Sequence, residues 1–356
     1  MIKALKQIYK GNEVANADLF QITNEALQGS IDSSIDLEYN VTNQTLINQL
    51  RTNAGVFAAF KSHKQTEAIA ALLIDDQGEI VPFGKFKKEA LKISDKYNKD
   101  WLRTEYNTAL RRGSMAERFT RFKEDSDLYA NLRWLQSTSG EPRGQHIKYY
   151  GLVLPIDHPF WAEQFPGVLW NCKCDIEQTD DKAGRAPSDW PEPPAGLEGN
   201  PAFTGELIGT QHPYFSGVPN SDGTVVSRLV QRDTEKRVSD WAKNTIDTVN
   251  GLIITNKVLH TGQMMIRRGD IKTLSRKITD PFLKTYPTVL SDDVDNWEYV
   301  GFAEVEPGKH KGVTKFLYYK TTYGDEEIFI NVKLHPEYGE RPYAISVGID
   351  NKRIEK

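Results

Sequence analysis

Residues 143–174 read RGQHIKYYGLVLPIDHPFWAEQFPGVLWNCKC. The stretch packs His146, the turn formers Pro155 and Pro159, the aromatics Phe160, Trp161 and Trp170, and both cysteines, Cys172 and Cys174, into a span with little helical or strand periodicity. Regular secondary structure does not need that composition, so an ordered, aromatic-pinned irregular structure is expected here.

Working outward, the flanks differ. Residues 14–110 read as mainly helical: Leu46, Ile47, Leu50, Val56 and Phe57 recur at near-helical spacing behind Asn43 as a cap, and the pattern continues through residues 66–74. The turn Asp75-Asp76-Gln77-Gly78 breaks it. A second run, residues 87–112, sets Ala90, Ile93, Tyr97, Trp101, Tyr106 and Leu110 on one stripe and is expected to stop at Gly113.

Downstream, residues 180–224 are rich in Pro, Gly, Asp and Ser and read as a linker or docking arm, with His212, Tyr214 and Phe215 as a peg for a partner surface. A charged helix follows from Val225, with Leu229, Val230, Val238 and Trp241 as its apolar contacts. Then come a short β-branched run at 252–255, a helix bearing Arg267, Arg268, Lys272, Arg276 and Lys277, and strands at 297–305, 315–322, 326–334 and 342–349. Their hairpin-like connections predict an antiparallel sheet. The fold class expected is multidomain α+β: a mainly helical N-terminal domain (1–179), an extended linker or arm (180–224), and a C-terminal helix-plus-antiparallel-sheet domain (225–356, core 250–350).

Composition narrows the function. The 356 residues carry a formal charge of -4, with no apolar run near the roughly 20 residues that span a bilayer, so no membrane segment is expected. The N-terminus MIKALKQIYKGNE lacks an apolar signal region, which predicts synthesis in the cytoplasm. Two cysteines two positions apart exclude a disulfide scaffold. Basic groups exceed acidic ones by about six over 85–148 and by about five over 257–284, stretches able to face a phosphate backbone or simply to form solvated helix faces. Walker and dinucleotide loops, GxSxG and HExxH are absent from the sequence.

Thr104-Glu105, Trp134, Ser137, Arg143, His146, Gly151, Pro155, Asp157, Pro159-Phe160-Trp161, Pro166 and Trp170-Asn171-Cys172-Lys173-Cys174 stand in the order and spacing of a known motif. In these residues the chain resembles the phage Mu F-like head-morphogenesis family, departing from it at Phe165-Pro166, where the family has a double proline, and at Lys173, where it has arginine. The resemblance implies a minor head protein of a tailed phage or prophage, made in a bacterial host and carried in the virion. Its implied partners are the portal or major capsid protein, with packaged DNA a further one. Such proteins often carry toxin domains at the C-terminus. The order of elements in the last domain resembles the barnase, EndoU, colicin and RelE-like nuclease fold, which implies host RNA as a substrate.

Two constellations carry chemistry. His146, Cys172 and Cys174 offer three ligands for zinc, with His158 or Asp157 as a fourth. Against this, the spacing is tighter than a usual zinc knuckle, and the plainer alternative has His146 bonded to loop backbone, Trp161 and Trp170 filling a small core, and the cysteines packing as hydrophobes. In the last domain, RNA cleavage without a cofactor needs a base, an acid and a cation. His260 or His335 would move protons, Arg267 or Arg268 would meet phosphate, and Tyr343 or Ser346 would orient, with Tyr319 and Arg341 also available. Each of these also has an ordinary structural reading, as a cap, a solvated helix face or a strand residue.

Overall fold

The computed structural model describes residues 1–11, 13–35, 44–249, 251–277, 294–323, 326–347 and 354. The expected cap Asn43 lies outside them. The chain is multidomain α+β and divides into two compact units, Met1–Gln231 and Arg232–Lys356.

The first unit is built on helices α1 (Ile2–Tyr9), α2 (Ala17–Ser34), α3 (Gln44–Ala70), α4 (Phe83–Asp95) and α5 (Leu102–Glu124). Asn16 starts α2 by accepting from the N–H groups of Asp18 and Leu19. Leu46, Ile47, Leu50 and Phe57 of α3 then meet Leu27 and Ile31 of α2 and Ala109 and Ala116 of α5 in one core. Between α4 and α5 the backbone widens into a π-helical turn, Lys96–Trp101. That turn rotates the apolar stripe, so the buried positions of α5 become Glu105, Thr108, Arg112, Met115 and Phe119 instead of the Tyr106–Leu110 side. Gly113 does not end the helix. A Cβ there would lie 2.6 Å from Ser34 Oγ, so the glycine lets α2 and α5 approach.

After α5 a small antiparallel sheet forms from β1 (Asn131–Leu135), β2 (Val153–Pro155) and β3 (Asp175–Thr179), in the order β2-β1-β3. The short helices α6 (Gly144–Ile147) and α7 (Phe160–Glu163) lie between its strands in sequence. The hub is Trp134 on the central strand, whose ring centroid lies 5.0 Å from His146, 5.2 Å from Tyr149 and 6.2 Å from Trp161. The irregular segment is therefore a sheet-backed aromatic core.

The expected linker carries the short helix α8 (Pro201–Thr204), and its second half is folded back into the helical unit. Leu197, Leu207, Ile208 and Tyr214 are buried. Asn53 on α3 accepts from the N–H groups of Leu207 and Ile208 and donates to the Ile208 carbonyl. Arg112, fully buried, donates to the carbonyls of Gly167, Leu197, Glu198, Gly199 and Glu206. The peg docks on its own helices: Tyr214 packs on Phe57 and Phe215 on Phe60. The unit boundary falls after Gln231, inside α9 (Asn220–Val249).

The second unit holds β4 (Leu252–Thr255), β5 (Gln263–Ile266), α10 (Arg268–Lys277), β6 (Glu298–Glu304), β7 (Lys315–Tyr323), β8 (Glu326–His335) and β9 (Gly339–Val347). The sheet order is β4-β5-β9-β8-β7-β6. Its neighbours are antiparallel as expected, except that β5 and β9 pair in parallel at Met264 and Glu340. Met264, Ile266, Ile271, Leu274, Trp297, Leu317 and Ile330 contribute to its core.

Replacing Arg112 should therefore loosen the arm. Arg112→Ala leaves five backbone carbonyls without this donor, two of the contacts buried and three part-buried, and should cost about 3 kcal/mol in denaturant unfolding. Arg112→Lys, without the guanidinium fork, should recover only part of it, and both variants should be cut faster by protease within residues 180–220.

Candidate functional site

A cleft of about 800 Å³ opens where the π-helical turn and α5 face the loops around residues 137–144 and 171–174. Its lining includes Thr104, Ser137, Arg143, Asn171, Cys172, Lys173 and Cys174, all positions of the motif that carries the head-protein resemblance. Asn171 sits at φ 56°, a left-handed conformation that asparagine tolerates better than most residues. Helix α5 holds it there: Asn171 N–H donates to Thr108 Oγ1 at 3.0 Å, and Asn107 Nδ2 donates to Asn171 Oδ1 at 3.3 Å. Arg143 donates to the Trp170 carbonyl at 3.2 Å, closing the other side. The lining is charged in both senses, with Asp100 and Glu141 beside Arg103, Arg143 and Lys173.

At the floor of this cleft His146, Cys172 and Cys174 meet, each almost wholly buried. His146 Nδ1 lies 3.4 Å from Cys172 Sγ and 3.5 Å from Cys174 Sγ. His146 faces the sulfurs, not loop backbone as the plainer reading had it. Hydrogen bonding from Cys174 holds the Cys172 thiol below its ordinary value, with His146 adding to the effect, and the same interaction pushes Cys174 up. Asp157 and His158 are engaged elsewhere. Asp157 pairs with Lys123, and His158 Nδ1 accepts from Phe160 N–H at 3.1 Å.

A second cavity, about 370 Å³, shares Thr104 and is lined by Trp101, Glu105, Trp170, His212, Pro213 and Tyr214. Trp170 therefore leaves the Trp161 core and packs beside His212, ring to ring at 5.7 Å. Below it, Lys61 and Glu105 form a buried ion pair, and Tyr214 donates to Glu105 at 3.3 Å. Burial lowers the Lys61 pKa and raises that of Glu105, each opposed by the partner's charge. Burial, with Lys61 nearby, also pushes His212 down from 6.5 to about 4.

In the second unit the expected catalytic residues fall in separate places. Arg267 and His335 meet on Tyr338, the guanidinium 4.4 Å and the imidazole 4.6 Å from its ring centroid. The His260 side chain stacks on Tyr299 at 6.1 Å, while its N–H donates to Tyr319 Oη at 2.9 Å. Arg268 is exposed, and Arg341 is committed to Asp270 through two bonds of 3.1 and 2.6 Å. Tyr343 lines a different cleft, of about 510 Å³, with His310, Phe316, Tyr318 and Asn331. Ser346, exposed, pairs with Phe329 farther along β9. Sequence reasoning missed Glu340, fully buried, which accepts from Tyr319 Oη at 2.6 Å and from Thr261 N–H at 2.6 Å. It missed Tyr338 as well, although the Tyr338-Gly339 turn marked its place. Among the described residues no helix is long and apolar enough to cross a membrane.

Comparison with family models, with curated proteins and with solved structures finds no match to this chain. The site therefore has to be read from its own chemistry.

Glu105→Gln leaves Lys61 buried without its counter-charge and should lower unfolding free energy by about 3–5 kcal/mol. Tyr214→Phe, which removes one neutral donor, should cost about 1 kcal/mol, and denaturant titration of the two variants separates them. His212 gives a pH effect. With its folded pKa below the unfolded one, the unfolded chain binds more protons between about 4 and 6.5, so stability falls as pH drops through that window. His212→Asn keeps an acceptor for Tyr214 N–H and should flatten this dependence in urea midpoints taken across the window.

Proposed function

We propose that the chain is a minor head protein of a tailed phage or prophage, its first unit a Mu F-like module that binds the portal or major capsid protein within the virion. One observation supports the reading above others: motif residues scattered from Thr104 to Cys174 converge on one cleft and its neighbouring cavity. A motif met by chance in sequence has no reason to assemble a surface. The cleft's mixed charge and its amide and hydroxyl groups suit a polar protein segment better than packaged DNA, which would want uniform positive charge. On this reading the protein is made in the host cytoplasm and leaves it inside the head.

A second activity, cleavage of host RNA by residues 232–356, is favoured by Arg267 and His335 gathering at Tyr338. They supply a cation for the phosphorane and an imidazole for proton transfer. Tyr343 and Ser346 have no part in that group.

The test for the first reading is co-expression of the full chain with the portal and major capsid proteins of its own genome, followed by purification of heads. The wild type should be incorporated, and Arg143→Glu with Lys173→Glu should reduce incorporation on the order of tenfold, the effect of about 1.4 kcal/mol of lost binding. A folded wild type absent from heads refutes it. For the second reading, inducing the full chain in bacteria should degrade total RNA, and Arg267→Ala with His335→Ala should protect it. Intact RNA under the wild type leaves the second unit as a binding module.

A further inference from the structure

The floor of the cleft has the geometry of a ligand set. The donor atoms of His146, Cys172 and Cys174 all lie within 4.8 Å of one another, and the three side chains are buried. In tetrahedral zinc coordination, with Zn–S about 2.3 Å and Zn–N about 2.05 Å, the N···S edge is about 3.6 Å and the S···S edge about 3.8 Å. The two observed Nδ1···Sγ edges are 3.4 and 3.5 Å. A single two-centre hydrogen bond does not explain them. One imidazole nitrogen has a single in-plane lone pair or a single N–H, which aims at one sulfur, whereas here two sulfurs stand at nearly equal distance from it. Equal approach of both is what a shared central ion requires.

A second observation points the same way. Trp134, fully buried, has no oxygen or nitrogen partner for its indole N–H, and the Tyr150 hydroxyl is likewise without one. Both belong to the aromatic core that holds Cys172 and Cys174. Buried donors without a partner in the core that holds the sulfurs suit the outer layer that a metal-bound thiolate collects, since two lone pairs remain on it after coordination. Charge fits as well. Two thiolates neutralise a divalent cation, so the assembled site is close to neutral and its burial is inexpensive compared with that of a bare ion pair.

We propose that His146 Nδ1, Cys172 Sγ and Cys174 Sγ bind one zinc ion whose fourth position faces the cleft and is held by water. The thiolate and imidazole set selects a soft or borderline metal over magnesium or calcium. Among the described residues no further His, Cys, Asp or Glu joins the group, and both cysteines line the cleft, so the open vertex lies on the solvent side. Binding leaves both sulfurs as thiolates, the proton on Cys174 passing to solvent. The inference stands apart from the head-protein reading, since a zinc site of this kind is compatible with any partner for the cleft.

The experiment uses the purified, reduced full chain, loaded with zinc and dialysed, with metal measured by plasma mass spectrometry and thiols by mass-tagging. One zinc per chain is expected. Cobalt(II) loaded in its place should show a thiolate-to-metal charge-transfer band and the intense visible bands of tetrahedral coordination. His146→Ala and Cys174→Ser should lose both, with far-ultraviolet circular dichroism confirming that they fold, while Lys173→Ala should retain them. Trp134→Phe, which keeps an aromatic ring and removes the N–H, should weaken affinity by about 10–100-fold. Zinc-free wild type, stoichiometric zinc in His146→Ala, or a Cys172–Cys174 disulfide in protein drawn from a reducing cytoplasm each overturns the proposal.

Discussion

The first unit depends on one buried guanidinium. Arg112 has no contact with water and spends its fork on backbone carbonyls from two distant stretches, Gly167 beside the aromatic core and residues 197–206 of the arm. Burial pushes its pKa down to about 9, and Glu198 and Glu206 oppose the shift, so it remains charged at neutral pH. A charge so enclosed is tolerable because charge-assisted hydrogen bonds are stronger than neutral ones and here there are several. The Pro- and Gly-rich arm is fixed by that arrangement, since its own sequence has little periodicity to order it. Gly167 is part of the same constraint: at φ 111° a Cβ there would stand 3.0 Å from the Arg112 side chain.

Fixing α5 in this way also fixes the site. Going up one face of the helix, Arg112 holds the arm, Thr108 holds Asn171, Glu105 holds Lys61 and Tyr214, and Thr104 lines both cavities. Trp170, Asn171 and Cys172, consecutive in sequence, then serve three places: the second cavity, the α5 contact and the His146 cluster. Left-handed Asn171 is the turn that makes this division possible, sending its neighbours in different directions. Desolvation offsets much of the attraction between the buried Lys61 and Glu105, so the pair adds little net stability although breaking it is costly.

What was legible in the sequence was local. Helical spacing at Leu46, Ile47, Leu50 and Phe57 gave the core face of α3, and alternation gave β6 to β9 to within about three residues. The pattern of His146, Cys172 and Cys174 named a cluster that the fold does assemble. What stayed hidden needed distant partners. Arg112, the last residue of the expected 87–112 run, gave no sign of its role because its acceptors lie 55 to 94 residues away. Gly113 looked like a stop because its neighbour, Ser34, is on another helix. β5 was missed because four residues after a glycine, Gln263–Ile266, become a strand only through pairing with β4 and β9. The arm was read as a linker from composition, which reports local stiffness and says nothing about docking.

The two units treat buried polarity differently, and the difference bears on where chemistry can occur. In Arg232–Lys356, Glu340 is buried on satisfied donors from Tyr319 and Thr261, and Arg341 is paired with Asp270, so these charges tie β9 to the β4–β5 hairpin and to α10. A carboxylate already saturated by hydroxyl and amide donors is a poor general base, since its lone pairs are occupied and its position is fixed. Arg267 and His335 both pack on the ring of Tyr338, which orients without neutralising, while Arg267 Nε also meets Met265 Sδ at 2.9 Å and His335 Nδ1 accepts from Glu337 N–H at 3.3 Å. The cluster on α6 and the 172–174 loop is the reverse case: its thiol and imidazole groups are buried together, and among the described residues no Asp or Glu joins them, an arrangement that packing alone does not reward and a shared ion does.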